Sequence, residues 1–415
     1  MIVKNFCFVG HRIHIAAIWI TAVYLYMKIL TGLFLLLSTG CLAQAFTFNQ
    51  GGTASKGYYQ EIPYQYVNGK IFIEGEIAGK KHLFLFDTGA PVSISKQLAA
   101  ELNAKVLKKI LIDDAFLHTD STTIVEVNDI ELGGLTFNNI PATTGLPDFF
   151  KCYNVDGVIG SNLLRNSIVQ IEPDKHLIIF TDQKDKLNLK SKNSTKLVTN
   201  IGTASSPFVD IMMRGKKNVT INIEFDTGDK SFIRIEDKLI NTLNKYAAFD
   251  TVATGYGADN IGQSGLQDAG DKYLFKLPTT IIGNGSFNNL IIESNKDAQP
   301  ALGSRLLDYG TVTMDYIHGK FYFDANEPTI DLGEKQWPFR PVVADNKLVV
   351  GVVFQKALGQ LKQGDQIMAI DDMDYSVPVL CDLINGKSVL FGKETAVLTI
   401  KDAHGDIKKV TVNKE

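Results

Sequence analysis

The sequence predicts a mainly β protein built from two similar halves and a smaller third unit. Three observations carry this expectation. First, 24 Phe, 14 Tyr and 35 Gly favour short strands and turns over long helices. Second, one series of motifs occurs twice, in the same order. Third, a further set of alternating runs lies beyond residue 336. The 415 residues are too many for one ordinary domain. With 45% apolar and 21% charged residues, the chain has a folded protein's composition. A net charge of -3 gives no basic field for nucleic acid, and four Cys exclude a disulfide-dense mini-protein.

Residues 13–37 are almost wholly apolar, interrupted by His14 and Lys28. Met27-Lys28, the apolar run 29–37 and Ala43-Gln44-Ala45 read as the basic start, core and cleavage site of a secretory signal. The expectation is a leader over 1–45, in which residues 1–26 are either an over-extended start, with the true start at Met27, or part of a longer leader, and an exported body, periplasmic or extracellular. Two readings compete. Gly40-Cys41 is a lipoprotein-type site, disfavoured by Ser38, and 13–37 is long enough to span a bilayer, disfavoured by Lys28. After cleavage only Cys152 and Cys381 are left. They are far apart in sequence, and two free thiols are the expectation, with a bridge between them the disfavoured alternative.

An internal repeat organises the middle of the chain. Leu83-Phe84-Leu85-Phe86-Asp87-Thr88-Gly89 is matched by Ile221-Asn222-Ile223-Glu224-Phe225-Asp226-Thr227-Gly228. Downstream, Val158-Ile159-Gly160-Ser161 is matched by Ala301-Leu302-Gly303-Ser304. Strand-turn-strand patterns come next at 171–180 and 314–323, and hairpin patterns precede at 71–86 and 208–225. The halves are expected over 57–182 and 200–325, with a polar, solvated linker at 183–199. Pro328, Gly333 and Trp337-Pro338 suggest a boundary before the last unit, 336–415. That unit has strand patterns at 348–354, 366–370, 396–400 and 407–412, and an amphipathic helix at 377–383.

By composition, one Asp-Thr-Gly is expected by chance about 0.1 times in such a chain. Alone it reads as a turn after a strand. Two copies, each ending an apolar strand, point to chemistry. Two carboxyls held within about 3 Å cannot both ionise, so they share one proton. The ionised oxygen then activates a water, and the protonated one donates to a carbonyl. A Thr hydroxyl can lock the opposite loop, and Gly permits close backbone approach.

On these motifs the region 57–325 resembles the aspartic peptidases, with Val158-Ile159-Gly160-Ser161-Asn162-Leu163-Leu164 most like the retroviral type. The resemblance implies an all-β, bilobal arrangement of barrels with a cleft between them. It implies hydrolysis of polypeptide substrates without metal, cofactor or covalent intermediate. Asp87 and Asp226 would be the catalytic pair, Thr88 and Thr227 the hydroxyl lock, and Gly89 and Gly228 the close-approach glycines. One chain supplies both Asp residues, so no dimer is needed. The chain departs from the pattern at Ala90, which has no hydroxyl, and at Asp229, which adds charge unless it pairs with Lys230 or Arg234. Both departures predict an activity optimum nearer neutral. Flap candidates lie about 30 residues beyond each Asp: Phe116-Leu117-His118-Thr119 and Gly255-Tyr256-Gly257.

In the last unit, Gly364-Asp365-Gln366-Ile367-Met368-Ala369-Ile370 resembles the PDZ signature. This implies a small β-rich domain with one or two helices and a groove that takes a peptide as an added strand. Pro338 and Pro341 sit in the loop that should offer N–H groups, which argues against capture of a terminal carboxylate. The seven His are scattered, without zinc-type spacing, and no G-x-S-x-G elbow occurs. The reading is an exported aspartic endopeptidase with a PDZ-like tail. The alternative is a peptide-binding scaffold of the same fold without turnover.

Overall fold

Asn68-Gly69 and Ala78-Gly79 set the opening of the first half. All four residues have positive φ, between 49° and 79°, which fits tight turns between antiparallel strands. They join Tyr59–Val67, Lys70–Ile77 and Lys80–Asp87 into a meander, with Tyr64 opposite Ile73 and Phe72 opposite Leu85. The second half repeats this with Phe208–Arg214 and Asn218–Asp226. The computed structural model describes residues 46–415 except 114–117, 200, 202, 247–248, 263–264 and 296–298. The expected leader, with its lipid-site and membrane-span alternatives, lies outside the described residues, as do Phe116 and Leu117.

Each Asp-bearing strand pairs in parallel with the strand of its apolar-apolar-Gly motif. Asp87 lies opposite Gly160 and Asp226 opposite Gly303. The closing hairpins, Ile168–Glu172 with Leu177–Thr181 and Gly310–Asp315 with Lys320–Ala325, pair with each other antiparallel, from Ile168 opposite Asp315 to Ile171 opposite Val312. Tyr59–Val67 adds to the outer edge of one hairpin and Ser194–Val198 to the other, giving six strands that join the halves. The segment expected to be a linker over 183–199 is therefore partly strand, and Leu187 and Asn193 are buried. Its polar composition reflects an edge position: Lys196 is exposed while Leu197 is buried.

Alternation drives the packing. Phe84 and Phe86 on one strand, and Ile223 and Phe225 on its counterpart, point to one continuous apolar core that also takes in Phe137, Phe180, Phe321 and Phe323. The last unit has its own core of Trp337, Phe339, Leu348, Ile367 and Leu398. Its strands run Phe339–Ala344, Lys347–Phe354, Gln366–Ile370, Thr395–Lys401 and Ile407–Asn413. Its helix is Leu380–Asn385, slightly later than 377–383, because Val377 and Val379 stay exposed before it. Residues 47–415 nevertheless form one compact unit. Among the described residues, no helix is long and apolar enough to cross a membrane.

Three ties fasten the last unit. Lys347–Phe354 pairs antiparallel with Asp250–Gly257, with Tyr256 opposite Val353. Lys272, only 1% exposed, lies 3.1 Å from Asp259 and 3.5 Å from Glu293, which also meets Arg340 at 3.6 Å. The third tie corrects the expectation of free thiols: Cys152 and Cys381 form a disulfide, with Cα atoms 4.8 Å apart. The helix Leu380–Asn385 lies against the short helix Asp148–Tyr153, so residues 229 apart in sequence become neighbours. Asn385 donates to the Cys152 carbonyl and Asn68 to that of Ile384.

Candidate active site

Strands Lys80–Asp87 and Asn218–Asp226 deliver the two Asp-Thr-Gly loops to one place. Each Thr is fully buried at 0% exposure, and its hydroxyl is used twice. Thr88 Oγ1 accepts from the Thr227 N–H at 3.0 Å and donates to the Phe225 carbonyl at 2.6 Å. Thr227 Oγ1 accepts from the Thr88 N–H at 3.1 Å and donates to the Phe86 carbonyl at 2.8 Å. This reciprocal set satisfies buried backbone groups of both loops.

The glycines explain the next step. A Cβ at Gly89 would lie 2.6 Å from the Asp226 Cγ, and one at Gly228 would lie 2.6 Å from Asp87 Oδ1. Each carboxyl is thus seated against the glycine of the opposite loop, with no room for a side chain. Gly89 N–H donates to Asp87 Oδ1 at 2.9 Å, and Gly228 N–H to Asp226 Oδ1 at 2.7 Å. Burial, then the charge of Asp87, raises Asp226 well above the usual carboxylate range. The structure therefore brings Asp87, Thr88, Gly89, Asp226, Thr227 and Gly228 together.

Supports behind the loops differ between halves. Ser161 donates to the Thr88 carbonyl, whereas Ser304 donates to that of Gly69 at 2.6 Å. Asn162 Oδ1 accepts from the Val92 N–H at 2.7 Å. Lys70 donates to the Gly228 carbonyl. Asp229 takes Arg234, not Lys230, as its partner: Nε and Oδ2 are 3.0 Å apart in a largely buried pair. Burial pushes Asp229 upward, but Arg234 and the bonds from Ser231 bring it below its usual value. Sequence reasoning misses Lys70, Ser304 and Glu224 as site residues. Only Glu224 leaves a signal there, as an acidic residue in an apolar strand where the first half has Leu85.

The flap candidates divide. Lys105–Asp113 and Thr119–Val127 form a hairpin, with Thr119 opposite Asp113 and His118 just before it. His118 Nε2 lies 3.9 Å from Asp268 Oδ2, on the segment leading into Gly270–Ile282 of the second half. Tyr256 and Gly257 are not at a tip. They lie within a strand paired on both edges, with Gly270–Ile282 and Lys347–Phe354. Gly257, at φ 144°, allows close passage of Gly351, and a Cβ at Gly255 would lie 2.7 Å from the Val353 carbonyl. Close packing with the last unit, not mobility, explains these glycines.

Among the described residues, no group of three or more His, Cys, Asp or Glu could hold a metal ion. Residues 73–163, which include Asp87-Thr88-Gly89 and Val158-Ile159-Gly160, match the family model of the aspartyl proteases. That segment is aspartic-protease-like, and the fold around it is mostly β. Two solved structures are similar to the chain at 12% identity. Basic 7S globulin from soybean covers 65% of this chain and 95% of its own, with a TM-score of 0.37. Conglutin gamma, a basic 7S globulin from lupine seeds, covers 66% and 96%, with a TM-score of 0.38. No curated protein matches.

Proposed function

We propose that this protein is an exported aspartic endopeptidase of two lobes, approximately 57–182 and 200–325, with a PDZ-like unit at 336–415. The observation that carries the reading is the reciprocal seating of the Asp87 and Asp226 carboxyls against Gly228 and Gly89. In this reading the pair shares one proton, and Asp226, raised by burial, is suited to carry it. A water held between the carboxyls loses its proton to the ionised oxygen as it attacks the peptide carbonyl. The protonated oxygen donates to the developing oxyanion, and the resulting tetrahedral species collapses with proton transfer to the leaving amine. The hairpin carrying His118 and Thr119 covers the polypeptide substrate.

The Cys152–Cys381 bridge supports export, because such bonds persist in oxidising compartments. Among the described residues, the strand Phe339–Ala344 pairs only with Lys347–Phe354, so its other edge is where a peptide strand would add. The experiment is cleavage of an unfolded protein by the mature chain across pH 3–8, beside Asp87→Asn and Asp226→Asn variants. Cleavage by the wild type that both variants abolish is the expected result. No cleavage by the wild type would return the chain to the scaffold reading.

A further inference from the structure

Corresponding rungs run across the two halves, two residues before each Asp. In the first half the rung reads Phe72, Leu85, Val158, Ser93, Thr143 across five neighbouring strands. In the second it reads Phe208, Glu224, Ala301, Arg234, Glu293. The frame is the same, but an apolar and neutral row has become a charged one. Leu85 is 1% exposed and packs with Phe72, Phe150 and Val158. Glu224 is 7% exposed and has the Ser206 side chain beside it. Strand periodicity puts Glu224 on the same face as Asp226, about 7 Å along the strand. The fold does not require a carboxyl there, since Leu fills the equivalent place. Arg234 does not serve Glu224 alone, because it is engaged by Asp229 at 3.0 Å.

Resting on the dyad reading above, we infer that Glu224 is a third carboxyl of the active site, a positioning residue that extends to higher pH the state in which Asp87 and Asp226 hold one proton. The groups around it are Asp226 on its own strand, Asp87 on the opposite loop, Arg234 on the strand beyond Ala301 with its partner Asp229 on the loop after Gly228, and Tyr316 after Gly310–Asp315. Burial, opposed by Ser206 and Arg234 and reinforced by the charge of Asp87, moves Glu224 from 4.5 to about 7. Below that pH it is neutral and leaves the dyad alone. Above it, its negative charge opposes loss of the dyad's last proton.

The test is the pH profile of kcat/KM for the wild type, Glu224→Gln and Glu224→Leu, the last copying the first half. In both variants the alkaline limb should move to lower pH by about one unit, with the acid limb in place. An alkaline limb unmoved in a folded variant overturns the inference and leaves the endopeptidase reading standing. An inactive wild type removes that reading itself. A second measurement needs no Glu224 variant: carbon-13 NMR titration of the Glu224 carboxyl in the wild type and in Asp87→Asn. Its midpoint should fall when the Asp87 charge is removed, and an identical midpoint overturns the coupling.

Discussion

Thr227 shows how much one hydroxyl does here. Thr227→Val keeps the shape but strips a partner from the Thr88 N–H and from the Phe86 carbonyl, both buried. An orphaned buried group costs about 1–3 kcal/mol. The expected loss is therefore about 2–4 kcal/mol, read from a denaturant unfolding curve. Gly228→Ala drives a methyl into the Asp87 carboxyl and should lower kcat about 100-fold through misplacement, measured on the unfolded-protein substrate named above. These residues are legible in the sequence because a three-residue motif recurs at the end of two apolar strands. Glu224 leaves only an acid inside an apolar strand as its signal, because a single such residue carries no motif. The partner of Asp229 stays open between Lys230 and Arg234, since sequence does not say which cation faces the loop.

Hairpins are the most readable elements, because alternation and Asn-Gly turns act locally. The strand Ser194–Val198 is hidden in the sequence because only its pairing with Lys320–Ala325 and Phe208–Arg214 makes it a strand. Gly255-Tyr256-Gly257 misleads for a related reason: a glycine that lets a chain bend and one that lets another strand approach look alike in sequence. Gly257→Val should clash with Gly351 and loosen Phe339–Ala344 and Lys347–Phe354, seen as faster amide exchange in those strands. The charged cluster beside them adds a pH dependence. Burial, then the charge of Asp259, raises Glu293 from 4.5 to about 7. A raised carboxyl favours the folded state while protonated. Its contribution is full below about pH 4.5 and is lost as pH rises through about 7. Thermal midpoints at pH 4.5 and 7.5 should therefore differ less in Glu293→Gln than in the wild type.

The largest gap between sequence and molecule is the disulfide. Two cysteines 229 residues apart give no hint of contact, because their meeting depends on the last unit docking against Asp148–Tyr153. Chain-entropy arguments put the effect of closing so long a loop on the order of 5 kcal/mol, an upper figure because the other ties also hold the unit. Adding a reductant should lower the thermal midpoint, and Cys152→Ser with Cys381→Ser should reproduce that shift. The same bond has a practical corollary. A single backbone cut anywhere between 152 and 381 would leave one covalent molecule, so self-inflicted nicking would be invisible on a gel until a thiol is added to the sample.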